Sequence, residues 1–140
     1  MILEDYVSFE TAKLLKEKGF NESCTHVCNI ESGKILEADF YTCKYVYNSW
    51  LDKNEPQLIA VPTIQMAMKW LREVHSIHII LDIHWLYFAN TLGWMYTINK
   101  ILENGTDYID SKGDENDKNF YSTYEEAAEV AIKYCLENLI

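Results

Sequence analysis

Apolar and polar positions alternate along this chain with two distinct periods, and the changes of period mark out its elements. Phe9, Ala12 and Leu15, with Leu14 beside them, recur at helical spacing, with Ser8 ahead of them as an N-cap and Glu10 in the first turn. Lys16 and Lys18 sit near the end, where cations complement the helix dipole, and Gly19-Phe20 has the composition of a Schellman-type stop. A helix over about 8–18 is predicted. From Thr25 to Tyr47 β-branched and aromatic residues dominate, and Ser32-Gly33 supplies a turn, so a hairpin with strands near 24–31 and 34–47 follows. Asn48 to Pro56 is polar apart from Trp50 and Leu51 and reads as a loop, and Gln57 to Val61 reads as a short strand.

Pro62-Thr63 opens a second helix over about 63–75, with Ala67, Trp70, Leu71 and Val74 on one stripe and Lys69, Arg72 and Glu73 off it. The period then drops to two. Ile77, Ile79, Leu81, Ile83, Trp85 and Tyr87 alternate with His78, Ile80, Asp82, His84, Leu86 and Phe88, as on a strand. Asn90 to Gly93 is read as the turn. Trp94, Tyr96 and Ile98 then share one face of a return strand, with Met95, Thr97 and Asn99 on the other. A short strand is placed at Asp107 to Asp110 and a solvated loop at Ser111 to Asn119. Ser122 and Glu125 form a capping box for a closing helix over about 123–138, striped by Ala127, Ala128, Ala131, Cys135 and Leu139.

The order of elements predicts an α+β fold: an antiparallel sheet from two hairpins, with three helices packed on it. A chain of 140 residues without internal repeats fits one globular domain, residues 1–140.

The formal net charge is -10, from 22 acids against 12 bases, and such a field repels phosphates and anionic membrane surfaces. No nucleic-acid partner and no membrane partner are therefore expected. A helix followed by a hairpin has the order of a winged-helix reader, which would turn Gln65, Lys69 and Arg72 to a groove, but the charge opposes it. Acidic Glu4 and Asp5 stand where a secretion signal carries bases, so a cytoplasmic location is expected, with cysteines kept as thiols. The least polar stretch, Ile77 to Tyr96, is interrupted by His78, Asp82, His84 and Asn90 and is not read as a membrane span.

Two clusters offer metal-ligand chemistry. Cys24, His26 and Cys28 share a strand face, and Cys43 can approach from the paired strand, but structural zinc sites use two matched pairs, and buried thiols otherwise behave as small apolar groups. His75, His78, Asp82 and His84 form the second cluster. There, positions 78 and 82 lie roughly 13 Å apart on an extended strand, too far for one ion without a bulge, and a half-exposed polar face is the simpler reading. The acidic stretch Asp110 to Asp117 fails the calcium-loop spacing, with Lys112, Glu115 and Tyr121 where an oxygen ligand, Gly and Glu belong. No G-x-S-x-G, Walker or G-x-G-x-x-G motif occurs, so no catalytic residues and no cofactor are assigned.

Aromatic residues are more numerous on the predicted strands than one sheet face can bury. Trp50, Trp85, Tyr87, Trp94 and Tyr96 are candidates for a surface that takes a protein partner or a second copy.

Three segments carry a resemblance: Val7 to Phe20; Pro62-Thr63 with Lys69-Trp70-Leu71-Arg72-Glu73; and Thr123-Tyr124-Glu125-Glu126-Ala127 through Ala131 to Leu136. In these the chain resembles small uncharacterised proteins of gut Bacteroides and of their bacteriophages and prophages. The resemblance implies a phage or prophage setting and an α+β fold, and it brings no catalytic residues. The leading expectation is a non-enzymatic accessory protein acting through protein–protein binding. The alternatives are an acidic inhibitor that mimics nucleic acid, and a metal-binding module or metal-dependent enzyme.

Overall fold

In the computed structural model, which describes residues 2–40, 44–112 and 120–140, the first helix forms where its caps place it. Helix α1 (Phe9–Glu17) is capped by the Ser8 hydroxyl, which accepts from the Thr11 N–H at 3.2 Å. Its end is the expected Schellman motif: Phe20 N–H donates to the Leu15 carbonyl at 2.9 Å and Gly19 N–H to the Lys16 carbonyl at 3.1 Å. Gly19 has φ +92°, a value that a Cβ would penalise, and Leu15 and Phe20 are both buried.

The described residues form an α+β fold with two antiparallel three-stranded sheets and four helices. Two sheets replace the one expected, and the chain divides into two compact units, residues 1–66 and 67–140. The first sheet has the order β2-β1-β3, with β1 (His26–Asn29) central, β2 (Ile35–Glu37) on one side and β3 (Leu58–Val61) on the other. The strand expected over 34–47 is thus far shorter among the described residues, and Val46 instead makes an isolated bridge to Cys24.

The expected loop at 48–56 is corrected to a helix, α2 (Asn48–Asn54). No side-chain cap announces it, because the residue that fixes its start works across the unit. Buried Asn48 donates from Nδ2 to the Phe20 carbonyl and accepts at Oδ1 from the Ala60 N–H, both at 2.9 Å. One amide therefore joins the end of α1, the start of α2 and β3, while Leu51 plugs the core beneath.

Helix α3 (Ile64–His75), whose residues from Ala67 onward belong to the second unit, buries Ala67, Trp70 and Leu71. Val74, expected on the same stripe, is exposed instead. Strands β4 (Ile77–Leu86), β5 (Thr91–Leu102) and β6 (Gly105–Lys112) follow in a meander. The β4–β5 register runs unbroken from Ile77↔Lys100 to Leu86↔Thr91, so β5 starts inside the expected turn and the reversal is made by residues 87–90, with Asn90 at φ +50°. The strand expected at 107–110 is longer, and the solvated-loop reading at 111–119 begins two residues too early; 113–119 lie outside the described residues.

Helix α4 (Tyr124–Asn138) is capped one residue later than expected. Thr123, not Ser122, accepts from Glu126 N–H at 3.1 Å, and the Glu126 carboxylate accepts from Ser122 N–H at 3.2 Å. Its face Ala127, Ala128, Ala131, Ile132, Cys135 and Leu136 is fully buried and packs on β4 and β5, where Ile77, Ile79, Tyr96 and Ile98 are also buried.

Asn48 supplies the sharpest test of this packing. Replacing Asn48 with Ala leaves a buried carbonyl and a buried N–H without partners, so urea unfolding should show a loss of about 2–3 kcal/mol, whereas an exposed Asn54→Ala control should cost well under about 1 kcal/mol.

Candidate functional site

The register of β4 on β5 sorts their side chains onto two faces. Ile77/Lys100, Ile79/Ile98, Leu81/Tyr96, Ile83/Trp94 and Trp85/Leu92 share one face, and His78/Asn99, Ile80/Thr97, Asp82/Met95, His84/Gly93 and Leu86/Thr91 the other. The first face is apolar along nearly its whole length, yet α4 covers only part of it. Ile79 and Ile98 are buried, and Tyr96 is 2% exposed. At the next level Trp94 meets the ring of Tyr124, the first residue of α4, edge-on at 5.4 Å. Beyond that point the same face is open: Ile83 is 45%, Trp85 46% and Leu92 52% exposed, with Tyr87 at 85% in the adjoining turn.

The opposite face is closed differently at this end. Leu86 is buried, and a Cβ added at Gly93 would stand 2.6 Å from Leu86 Cδ1 and 2.8 Å from Phe120 Cβ, so Phe120 packs directly on backbone here. That contact needs glycine, and it leaves the Ile83–Trp85–Leu92 face untouched. Of the five aromatic candidates, Trp85 and Tyr87 lie in this exposed region and Trp94 borders it, half-buried. Tyr96 belongs to the core, where burial and then Tyr121 and Asp110 push its hydroxyl pKa up. Trp50 lies elsewhere, on α2, half-buried against Phe40 at 5.4 Å between ring centroids. Leu92 and Ile83 complete the patch.

The metal-ligand candidates are dispersed. His78, Asp82 and His84 lie on the second face of β4, and His75 ends α3 with its ring edge-on to Trp70 at 4.6 Å. Cys24 lies on the isolated bridge to Val46, and His26 and Cys28 lie on β1, with the His26 ring against Tyr6 at 4.0 Å; Cys43 lies outside the described residues. Among the described residues no group of three or more His, Cys, Asp or Glu is arranged to hold a metal ion. Burial pushes the thiols of Cys24 and Cys135 up to about 12, Glu22 adding to the effect at Cys24, and burial also raises Cys28. Thiols so protonated are poor nucleophiles.

A pocket of about 210 Å³ in the first unit is lined by Lys13, Lys16, Glu17, Ile30 and Ile59. It is smaller than the roughly 300 Å³ at which small-molecule sites begin, and Lys16 is engaged with Asp52 at 2.5 Å. Exposed carboxylates are distributed over many elements, among them Glu10 on α1, Glu37 on β2, Glu73 on α3 and Glu137 on α4. Among the described residues no helix is long and apolar enough to cross a membrane.

His75 has a distinct electrostatic setting. Its Nε2 is buried without a hydrogen-bond partner, and the Lys100 ammonium donates to its carbonyl at 2.7 Å, holding the last turn of α3 ahead of Ser76 at φ +57°. Burial, and then the Lys100 charge, lower its pKa below the ordinary 6.5. The neutral ring is the form that the fold favours, so its contribution is complete above pH 6.5 and is lost as pH falls through the lowered value. The melting temperature should fall from neutral to mildly acidic pH, and His75→Phe should flatten that part of the profile.

Neither a family model, nor a curated protein, nor a solved structure matches this chain, so its function is read from its own geometry.

Proposed function

We propose that this protein is a non-enzymatic accessory factor of phage or prophage type that works by binding another protein, with the Ile83–Trp85–Leu92 face of the β4–β5 hairpin as its contact surface. The observation that carries this reading is a continuous apolar face that α4 covers at one end and leaves open at the other. An exposed tryptophan flanked by aliphatic side chains on a paired strand ladder is the composition of an interface centre. Tyr87 at the turn adds an aromatic side chain with a polar tip. The protonated thiols, the small pocket and the dispersed histidines all favour binding over catalysis. The phage setting rests on the resemblance in the three helical segments.

Affinity capture from a Bacteroides lysate, compared between the native chain and its variants, tests this reading. The native chain is expected to retain a specific stoichiometric protein, and Trp85→Ala should weaken retention at least about tenfold, since truncating a central tryptophan typically removes 2 kcal/mol or more. Trp50→Ala, on α2 of the other unit, should leave retention unchanged. Equal retention by the native chain and Trp85→Ala, or no specific partner at all, would count against it.

A further inference from the structure

Strand β4 is an edge strand, and its free side carries information that the exposed face does not. Ile101 N–H donates to the Ser76 carbonyl at 2.7 Å, so the pair one step before Ile77↔Lys100 is of the hydrogen-bonded kind. Such pairs alternate with non-bonded ones in an antiparallel ladder, and the register is unbroken, so the even-numbered residues of β4 direct their backbone groups to β5. The reciprocal bonds between Trp94 and Tyr121, at 2.8 and 2.9 Å on the other side of β5, obey the same alternation. The N–H and C=O groups of Leu81, Ile83 and Trp85 therefore point away from the sheet. Among the described residues no strand pairs with that side of β4.

A long edge of β-branched and aromatic residues is a template for another strand, and proteins normally blunt such edges with charge. Here the charge is Asp82, on the second face beside His84, and both are exposed. These two residues select the partner. When β4 meets an antiparallel copy of itself, a two-fold axis at Asp82 sets carboxylate against carboxylate, and one at Leu81 sets Asp82 against Ile80. An axis at Ile83 instead sets each Asp82 opposite the other copy's His84, Leu81 opposite Trp85, and Ile80 opposite Leu86. In that register Ile83 and the two Leu81–Trp85 pairs are the hydrogen-bonded ones, exchanging backbone bonds in both directions. The Asp82–His84 pairs fall at the non-bonded positions, where side chains approach most closely.

We propose that the open edge of β4 binds a second copy of this chain, antiparallel about a two-fold axis at Ile83, so that two three-stranded sheets join into one and each Asp82 faces a His84. The contact is through the edge rather than the face, and it does not depend on the binding partner proposed above. The pairing buries little area, so it is reversible and governed by concentration.

Sedimentation velocity of the purified chain between about 5 and about 500 μM tests the pairing. The native chain is expected to shift from monomer to dimer, and Asp82→Lys or His84→Glu alone should raise the dimer Kd at least about tenfold. The double exchange Asp82→Lys with His84→Glu should restore it, because a carboxylate and a nitrogen donor again face each other with their places reversed. Ile83→Pro should abolish the dimer and keep the fold by circular dichroism, since the N–H it removes faces outward, a position where edge strands tolerate proline. A chain that stays monomeric throughout, a dimer that survives Ile83→Pro, or one that the double exchange fails to restore overturns the pairing. A monomeric native chain that still captures a partner through Trp85 would refute the edge pairing alone.

Discussion

The mismatch in length between α4 and the strands it covers governs the second unit. A helix of fifteen residues is about 22 Å long, and a strand of ten residues is about 33 Å. Even laid along β4, the helix cannot shield the whole apolar face, so burial ends near Trp94 and Tyr124 while the apolar sequence continues through Ile83, Trp85 and Leu92. Burial of Ile77, Ile79, Tyr96 and Ile98 beneath Ala127, Ala131, Ile132 and Leu136 supplies the hydrophobic stabilisation. The remainder of the face continues the same paired strands past that core. An uncovered apolar surface follows from two element lengths, without any separate binding motif.

Much of this was legible in the residues themselves. Ser8, Gly19 and Phe20 specify α1 through hydrogen bonds that span only a few positions, and the period-two run from Ile77 specifies β4 in the same local way. Helix α2 was not legible, because its anchor Asn48 bonds to Phe20 and Ala60, residues distant in sequence, and no local cap signals it. The start of β5 was misread for a related reason. Asn90 and Gly93 look alike as turn residues, but Asn90 takes the left-handed conformation in the turn, whereas Gly93 lies inside the strand to admit Phe120.

The candidate surface was half legible. Trp85 and Tyr87 stood out as aromatic excess, but nothing local distinguishes Trp85 from Tyr96, which shares its face and is buried. The difference lies in where α4 begins. Leu92 was absorbed into the misplaced turn, and it enters the patch only through its pairing with Trp85. Asp82 and His84 drew notice as metal ligands. Their positions on one face of an edge strand give them a different chemistry in the proposed pairing, as complementary groups between two copies.

Hydroxyl-radical footprinting of the dilute protein examines the uncovered hairpin end most directly. Trp85 and Tyr87 are expected to be oxidised many-fold faster than Trp70 and Tyr96, which are buried in the same unit. Protection of Trp85 comparable to that of Trp70 would contradict a face that runs past its helix into solvent.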